Sequence, residues 1–389
     1  MSLDDSIELK VREAVKGTRF EVQTLTKLAG GTANWIFAAT LASPLDDGSS
    51  EVLIKHGQGF SASNQNFELP LSRCKIEAES LRLLSGHSVS GSPPAGASNV
   101  NVRTPALFDL TEGDDSTIQV QEYLPGSIDL KQYMLKHCAA SPTPVEREKS
   151  AQIGAALANW LRSFHKWAAS QQDEDFARLV SKNTFGPYVK NLINFSWLSD
   201  RVDTFPDVLR DCKDLLVEIQ DAVAKEKDNQ KARYQIIHGD FWTGNIVLPD
   251  KPLEAESDGP IFVVDWEIAQ FGLPSFDLGQ MIAELYALWL YRGNEAALVL
   301  MESFIDTYMQ NSGLGEDFAF RAALQVGAHL VCITTGFPGW GTHEELEPVV
   351  RVGRDILIHA WRRDRAWFEG GKLQGLFRLV ASGSSATGL

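Results

Sequence analysis

The sequence predicts an α+β fold of two lobes, a strand-rich one over residues 1–124 and a helical one over residues 125–389. Three observations predict it. Short β-like runs broken by Gly, Pro and Asn dominate the chain up to Pro125-Gly126. Beyond that break the apolar residues recur at helical spacing. Two apolar runs then interrupt the helical part, Ile236–Leu248 (IIHGDFWTGNIVL) and Ile261–Ala269 (IFVVDWEIA). Each brings polar, metal-competent groups to its edge.

Composition sets the outer limits. A chain of 389 residues is long enough for a well-buried core. Its 44% apolar and 22% charged content suit a soluble globular protein. No apolar run reaches the ~20 residues of a membrane span. The start, MSLDDSIELKVREAV, lacks the basic and apolar parts of a secretory signal and reads as a short amphipathic helix. A net charge of −15 disfavours nucleic acid and anionic lipid, and suits an enzyme with a cationic substrate. Cys74, Cys138, Cys212 and Cys332 show no paired spacing, which argues for a reducing compartment, against a zinc site, and so for the cytoplasm.

In order along the chain, Phe20–Leu28 and Thr32–Leu41 flank Ala29-Gly30-Gly31 as a strand–glycine–strand hairpin. Glu51–His56 is a short apolar strand, and Arg73–Ser85 a helix with Ile76, Leu81, Leu83 and Leu84 as its apolar positions. Residues 86–101, rich in Gly, Ser, Pro and Asn, read as a solvated loop. Strands follow at Val102–Leu110 and Thr117–Leu124. In the second lobe Thr143-Pro-Val-Glu146 is a capping box with proline at the first helical position, so a helix runs from there to about Trp167. Further helices are expected at Pro206–Lys227, Ser275–Tyr291, Glu295–Asn311, Glu316–Thr334 and Glu344–Arg363. The terminal SGSSATGL reads as disordered.

The two interrupting runs carry the chemistry. Asp240, an amide five residues on at Asn245, and a second acid, Asp265, after a buried strand form the apparatus of phosphoryl transfer. That reaction needs a carboxylate to orient a hydroxyl and oxygen ligands to hold magnesium on nucleotide phosphates. Asp240 is the candidate base. Alone, a Gly-Asp pair after a strand reads as a turn; Asn245 and the second motif in register favour the catalytic role.

His238-Gly-Asp240-Phe-Trp-Thr-Gly-Asn245 and Asp265-Trp-Glu267 resemble the signature pair of the aminoglycoside phosphotransferase and choline kinase superfamily. The run Phe271-Gly-Leu-Pro-Ser-Phe-Asp277-Leu-Gly279 is similar to its G-x-P-x-x-D-L segment. Within the superfamily the chain looks most like the methylthioribose kinase-like branch, which includes fungal tryptamine kinases. Leu28-Ala-Gly-Gly-Thr-Ala-Asn34, Ile54-Lys55-His56, Arg73-Cys-Lys-Ile-Glu77 and Trp340-Gly341 carry that likeness, which runs from about residue 20 to 360.

The resemblance implies a bilobal, protein-kinase-like fold that binds ATP and Mg2+ between its lobes. It implies that Lys55 reaches the phosphates and is fixed by Glu77, with Glu79 as the alternative partner. It makes Asn245 and Asp265 metal ligands and Glu267 the second acid of a D-x-E motif, reaching metal directly or through water. A surface position at a strand end is the other reading of Glu267. His238 is expected to brace the catalytic loop, and Asp277 to brace that loop or cap its own helix. Gly30 and Gly31 would bring backbone N–H groups to phosphate, although the run matches neither G-x-G-x-x-G nor a Walker loop. At the hinge, the Glu122 C=O and Leu124 N–H would pair with the adenine edge. Arg351-Val352 retains one of the two adjacent arginines that methylthioribose kinases use, and Asn245 replaces a serine common in that branch.

The expected activity is therefore ATP- and Mg-dependent phosphorylation of a hydroxyl on a small, amine-bearing metabolite. Phe241, Trp242, Trp340 and the acids Glu344, Glu345 and Glu347 are candidates to hold the amine; the bland alternative is core aromatics and a solvated helix start. A protein acceptor is disfavoured, because H-R-D, D-F-G and A-P-E are absent and few residues separate Asp265 from Pro274. The alternatives are a nucleotide-binding pseudo-kinase scaffold and an aminoglycoside-modifying phosphotransferase.

Overall fold

Strand alternation and one amphipathic helix build the first core. The computed structural model describes residues 2–29, 31–86, 100–138, 140–170, 174–226, 233–252 and 259–378. Gly30, residues 87–99 of the expected solvated loop, and the SGSSATGL tail lie outside the described residues. A capping box between Ser2 and Asp5 starts α1 (Leu3–Val15), whose Ile7, Val11 and Val15 recur every four residues on one buried face. That face covers an antiparallel sheet of β1 (Val22–Lys27), β2 (Trp35–Leu41), β3 (Glu51–Gln58), β5 (Leu107–Glu112) and β6 (Ser116–Glu122), in the order β1-β2-β3-β6-β5. In β2 every second residue is buried, so Trp35, Phe37, Ala39 and Leu41 face the core. After β3 runs α2 (Ser72–Gly86).

The expected strand over 102–110 is two strands. Residues 104–106 break it at Pro105, and β4 (Val102–Arg103) pairs in parallel with β10 (Ile261–Val263) of the helical lobe. With β7 (Ser127–Asp129) and β9 (Ile246–Pro249) they form a small sheet in the order β4-β10-β9-β7. A separate ribbon pairs β8 (Gln235–Ile237) with β11 (Gln270–Gly272). Both carboxylate-bearing segments therefore hang from strand ends.

The second core is helical. Its frame is α4 (Pro144–Ser170), α10 (Pro274–Arg292), α11 (Glu295–Met309), α12 (Glu316–Gly336) and α13 (His343–Trp361), each close to its expected range. The α4 capping box is present, with the Glu146 N–H on Thr143 Oγ1 at 3.3 Å and the Thr143 N–H on the Glu146 carboxylate at 2.7 Å. By length and hydropathy α12 would suit a membrane span, but 78% of its apolar window is buried against the other helices. It is a core helix.

Shorter helices were not expected individually: α3 (Leu130–His137), α5 (Glu174–Ser181), α6 (Phe185–Asn191) and α7 (Trp197–Thr204). None exceeds eight residues, too short to show a helical period. The expected helix over 206–227 is α8 (Pro206–Leu209), a 3-10 turn at Arg210–Cys212, and α9 (Lys213–Ala224).

Candidate active site

The loop after β8 is held by its own backbone. Gly239 adopts φ +77, and a Cβ there would lie 2.5 Å from the Ile268 carbonyl oxygen, so only glycine fits. Asp277 accepts the His238 N–H at 2.8 Å and the Gly239 N–H at 2.9 Å. His165 contacts the same carboxylate at 3.1 Å and Tyr308 at 2.7 Å. Asp277 thus braces the loop, while Leu273, at the helix start, makes no side-chain cap. His238 Nδ1 accepts the Asp240 N–H at 3.2 Å, so its Nε2–H is the proton donated to the Val264 carbonyl at 3.0 Å. Burial pushes the His238 imidazole below its ordinary pKa, against the pull of Asp277 and Asp240, and so favours this neutral form. Gly244 is required because the Trp242 ring lies over it, 2.3 Å from where a Cβ would be.

Asp240 stands at the end of this brace. Its Oδ1 accepts from Lys190 of α6 and from Gln280 of α10, the latter at 2.8 Å. Its Oδ2 accepts from Asn245 Nδ2 at 3.1 Å, and the same amide nitrogen bonds the Asp240 carbonyl at 2.9 Å. Burial alone would raise the Asp240 carboxyl; the charge and hydrogen bond of Lys190, with Gln280, outweigh it and hold it below the ordinary range. Asp240 is therefore an ionised carboxylate with fixed orientation.

The second segment faces the small lobe. Asp265 takes the left-handed conformation, φ 67 and ψ 60, unusual for a residue with a Cβ and common where function holds the backbone. Lys55, on β3, donates to Glu77 of α2 at 2.6 Å and to Asp265 at 3.0 Å, joining the two lobes. Burial opposes the Lys55 charge, but Asp265, Glu77 and Glu267 overcome this and hold the ammonium above its usual pKa. Glu267 is buried, which removes its reading as a surface residue. Its Oε2 accepts from Asn34 at 2.8 Å and ion-pairs with Arg73 at 3.2 Å. Burial, then the charge of Asp265, raises the Glu267 carboxyl, opposed by Arg73.

The donor set fits a hard divalent cation. The carboxylates of Glu77, Asp265 and Glu267 bring oxygens within 4.8 Å of one another. Asn245 belongs to the same strand-end cluster: its carbonyl accepts the Val264 N–H at 3.0 Å, and Ile246 pairs with Val263. Its amide nitrogen is on Asp240, which leaves its side-chain oxygen as a further candidate donor. Glu77 is turned to Lys55, and Asp265 is one-third exposed while Asn245 is buried.

Around the glycine loop, Gly31 passes so close to Asn34 that a Cβ would sit 2.4 Å from its carbonyl. The loop carbonyl of Thr32 accepts from the Ser61 hydroxyl at 2.7 Å and the Ser63 N–H at 3.0 Å. Arg73 donates to Asn34 Oδ1 at 2.7 Å, so Asn34 ties this loop to Glu267. Glu122 ends β6, and its side chain is gripped at both oxygens by Arg103, each at 2.6 Å. Leu124 follows just before Pro125 and Gly126, the latter at φ +60.

Several sequence candidates lie elsewhere. Phe241 is fully buried and stacks on Trp160 and Phe304 with ring centroids 6.1 and 6.4 Å away, so it is core. Trp340 is also buried, and Lys131 already occupies its face, 3.6 Å from the ring centroid. Neither ring is open to an amine. Glu345 forms a capping box with Thr342, accepting its N–H at 2.8 Å, and Glu347 pairs with Arg351 one turn on. These contacts match the bland reading of that acidic run as a helix start. Conversely, no role for Lys190, Gln280, Asn34 or Arg73 is expected from sequence. Lys190 lies in FGPYVKNLINFSW, where nothing in spacing marks it; Gln280 follows the Asp277-Leu-Gly279 segment by one residue.

A model of the phosphotransferase enzyme family matches residues 45–322. Among curated proteins, the chain is 24% identical to the phosphotransferase FrzJ of Cladobotryum sp over 378 residues, covering 93% of this chain and 94% of that one. It is 23% identical to the 4-hydroxytryptamine kinase of Psilocybe cyanescens over 337 residues, 86% of each chain. Methylthioribose kinase of Bacillus cereus is 26% identical over 305 residues, 72% of this chain and 67% of that one. Among solved structures, the ADP-bound aminoglycoside phosphotransferase APH(2'')-Ib aligns at 15% identity over 92% of this chain and 99% of its own, with a TM-score of 0.48. The family model covers well over half of the sequence, and both carboxylate-bearing segments lie inside it: the chain belongs to the phosphotransferase enzyme family.

Proposed function

We propose that this phosphotransferase moves the γ-phosphoryl group of ATP to a hydroxyl of a small metabolite. The observation that carries this reading is the Lys55 bridge. A lysine of the strand-rich lobe meets Glu77 at 2.6 Å and Asp265 at 3.0 Å, beside the fixed carboxylate loop of Asp240. A cation and an open carboxylate facing one cleft are what a polyphosphate with its metal requires. Asp265 and Asn245, with the remaining Glu267 oxygen, would hold Mg2+, whose chemistry is to neutralise charge on the transferring group. Lys55, aligned by Glu77, holds phosphate oxygens. The Gly31 backbone would line the phosphates, and the Glu122 carbonyl and Leu124 N–H would hold the base edge. Asp240 accepts the acceptor hydroxyl's hydrogen bond and orients its oxygen toward phosphorus.

The small-lobe residues 1–124 bind nucleotide in this reading, and residues 125–389 supply the carboxylates and the acceptor side. The relatives named as kinases of 4-hydroxytryptamine and methylthioribose support a small acceptor. The unpaired cysteines Cys74, Cys138, Cys212 and Cys332 support a cytoplasmic enzyme.

The test is ADP release from Mg-ATP across methylthioribose, choline, ethanolamine, hydroxytryptamines, homoserine and aminoglycosides. An acceptor-dependent signal lost by on the order of 1,000-fold in Asp240→Asn is expected. Intact turnover in Asp240→Asn, with nucleotide still bound, would remove Asp240 from the mechanism.

A further inference from the structure

Lys190 reaches Asp240 from a helix that no catalytic motif contains. The two side chains are 7% and 18% exposed, so this pair is not a solvated surface contact. Its helix does not continue regularly. A π turn, Leu192–Ser196, separates α6 from α7, and such turns leave carbonyls out of the usual ladder. Asn194 fills that gap, donating to the Lys190 carbonyl at 2.9 Å, and Gln325 of α12 donates to Asn194 Oδ1 at 2.8 Å. The backbone that carries Lys190 is thereby tied to the core of the helical lobe.

An ionised carboxylate offers about four lone-pair positions. Lys190 and Gln280 take those of Oδ1, and Asn245 takes one of Oδ2. The remaining position lies on Oδ2. We propose that Lys190 is a positioning residue, which pins Asp240 Oδ1 so that Oδ2 receives the acceptor hydroxyl. This rests on the reading of Asp240 as the group that orients the hydroxyl. In the transfer, the acceptor oxygen bonds to the γ-phosphorus, the bond from that phosphorus to the bridging oxygen of ADP breaks, and the hydroxyl proton passes to Oδ2. Lys190 keeps its protons throughout.

The experiment compares Lys190→Met, Lys190→Arg and Asp240→Asn in ADP release from Mg-ATP, with the best acceptor of the panel or with water, beside the melting shift given by Mg-ADP. Lys190→Met is expected to lose about 10- to 100-fold in kcat, with KM for Mg-ATP and the Mg-ADP shift within about two-fold. Lys190→Arg, which still donates to Oδ1, should recover most of the loss. Should Lys190→Met fail to fold, Lys190→Leu, which likewise has no donor, takes its place with the same expectation. Unchanged kcat, no recovery by Arg, or a parallel loss of the Mg-ADP shift overturns the proposal. If Asp240→Asn is inactive while Lys190→Met is not, only the role of Lys190 is lost. If Asp240→Asn still turns over, or the unsubstituted chain releases no ADP at all, the reading of Asp240 falls with it.

Discussion

The two charged clusters are built by different means. On the proposed nucleotide side, Lys55, Glu77 and Asp265 meet through groups on a strand, the helix after it, and a strand end. On the proposed acceptor side, Asp240 is held by Lys190, Gln280 and Asn245, drawn from two helices and a loop spread over 90 residues of sequence. The first is an ion cluster that any polyphosphate ligand could use. The second is a hydrogen-bonded frame around one carboxylate, shaped by how α6 and α10 pack in this chain. Binding and orientation are thus separable, and substitutions on the two sides should fail in different ways.

The strongest separation should come from Lys55→Met. It removes the cation from the nucleotide side and leaves the Asp240 frame intact. A fall in kcat/KM for Mg-ATP on the order of 100-fold or more is expected in steady-state assays. An equal loss carried by the acceptor's KM alone would break the comparison.

Glu77→Gln should act in the same direction with a smaller loss, about 10-fold, because Asp265 still holds Lys55. The two changes should not add. A double mutant close to Lys55→Met alone, with a coupling of about 1–3 kcal/mol, would mark one unit; simple additivity would separate the pair.

Gly239→Ala probes the acceptor side through the backbone alone. A Cβ at φ +77 and 2.5 Å from the Ile268 carbonyl must displace the loop. Thermal or denaturant unfolding should show a loss of about 1–3 kcal/mol, with kcat falling and Mg-ADP binding kept. A variant as active as the unsubstituted chain would mean that the loop tolerates movement of Asp240.

The smallest effect concerns the acidic run at α13. Thr342→Ala removes a capping box and should lower stability by about 1 kcal/mol, with no change in KM for any acceptor. A raised acceptor KM in Glu344→Gln or Glu347→Gln would instead return those acids to the substrate site.

The same contrast explains what could be read in advance. Lys55, Asp240, Asn245 and Asp265 sit in short motifs whose local geometry is set by neighbours in sequence: a strand, a glycine turn, a strand end. Their placement at strand ends was legible because the turn at Gly239 and the pairing of Ile246 with Val263 follow from those short segments. Trp340 and Phe241 misled because an aromatic ring looks the same in sequence whether it lines a cleft or fills a core. Lys131 on one ring and Trp160 on the other decide the matter, and both arrive from distant helices.

By itself, then, the sequence determined the strand-rich and helical parts, the long helices of the second, the capping box at Thr143, and the pair of carboxylate loops. These follow from backbone sterics and from side chains within a few residues of each other. Tertiary packing alone decided that Arg73 and Asn34 meet Glu267, that β4 joins the sheet of the other lobe, and that Lys190 meets Asp240. A buried charge must find an opposite charge or a dipole wherever the fold brings one, and a separation of 50 residues in sequence carries no local trace of that choice.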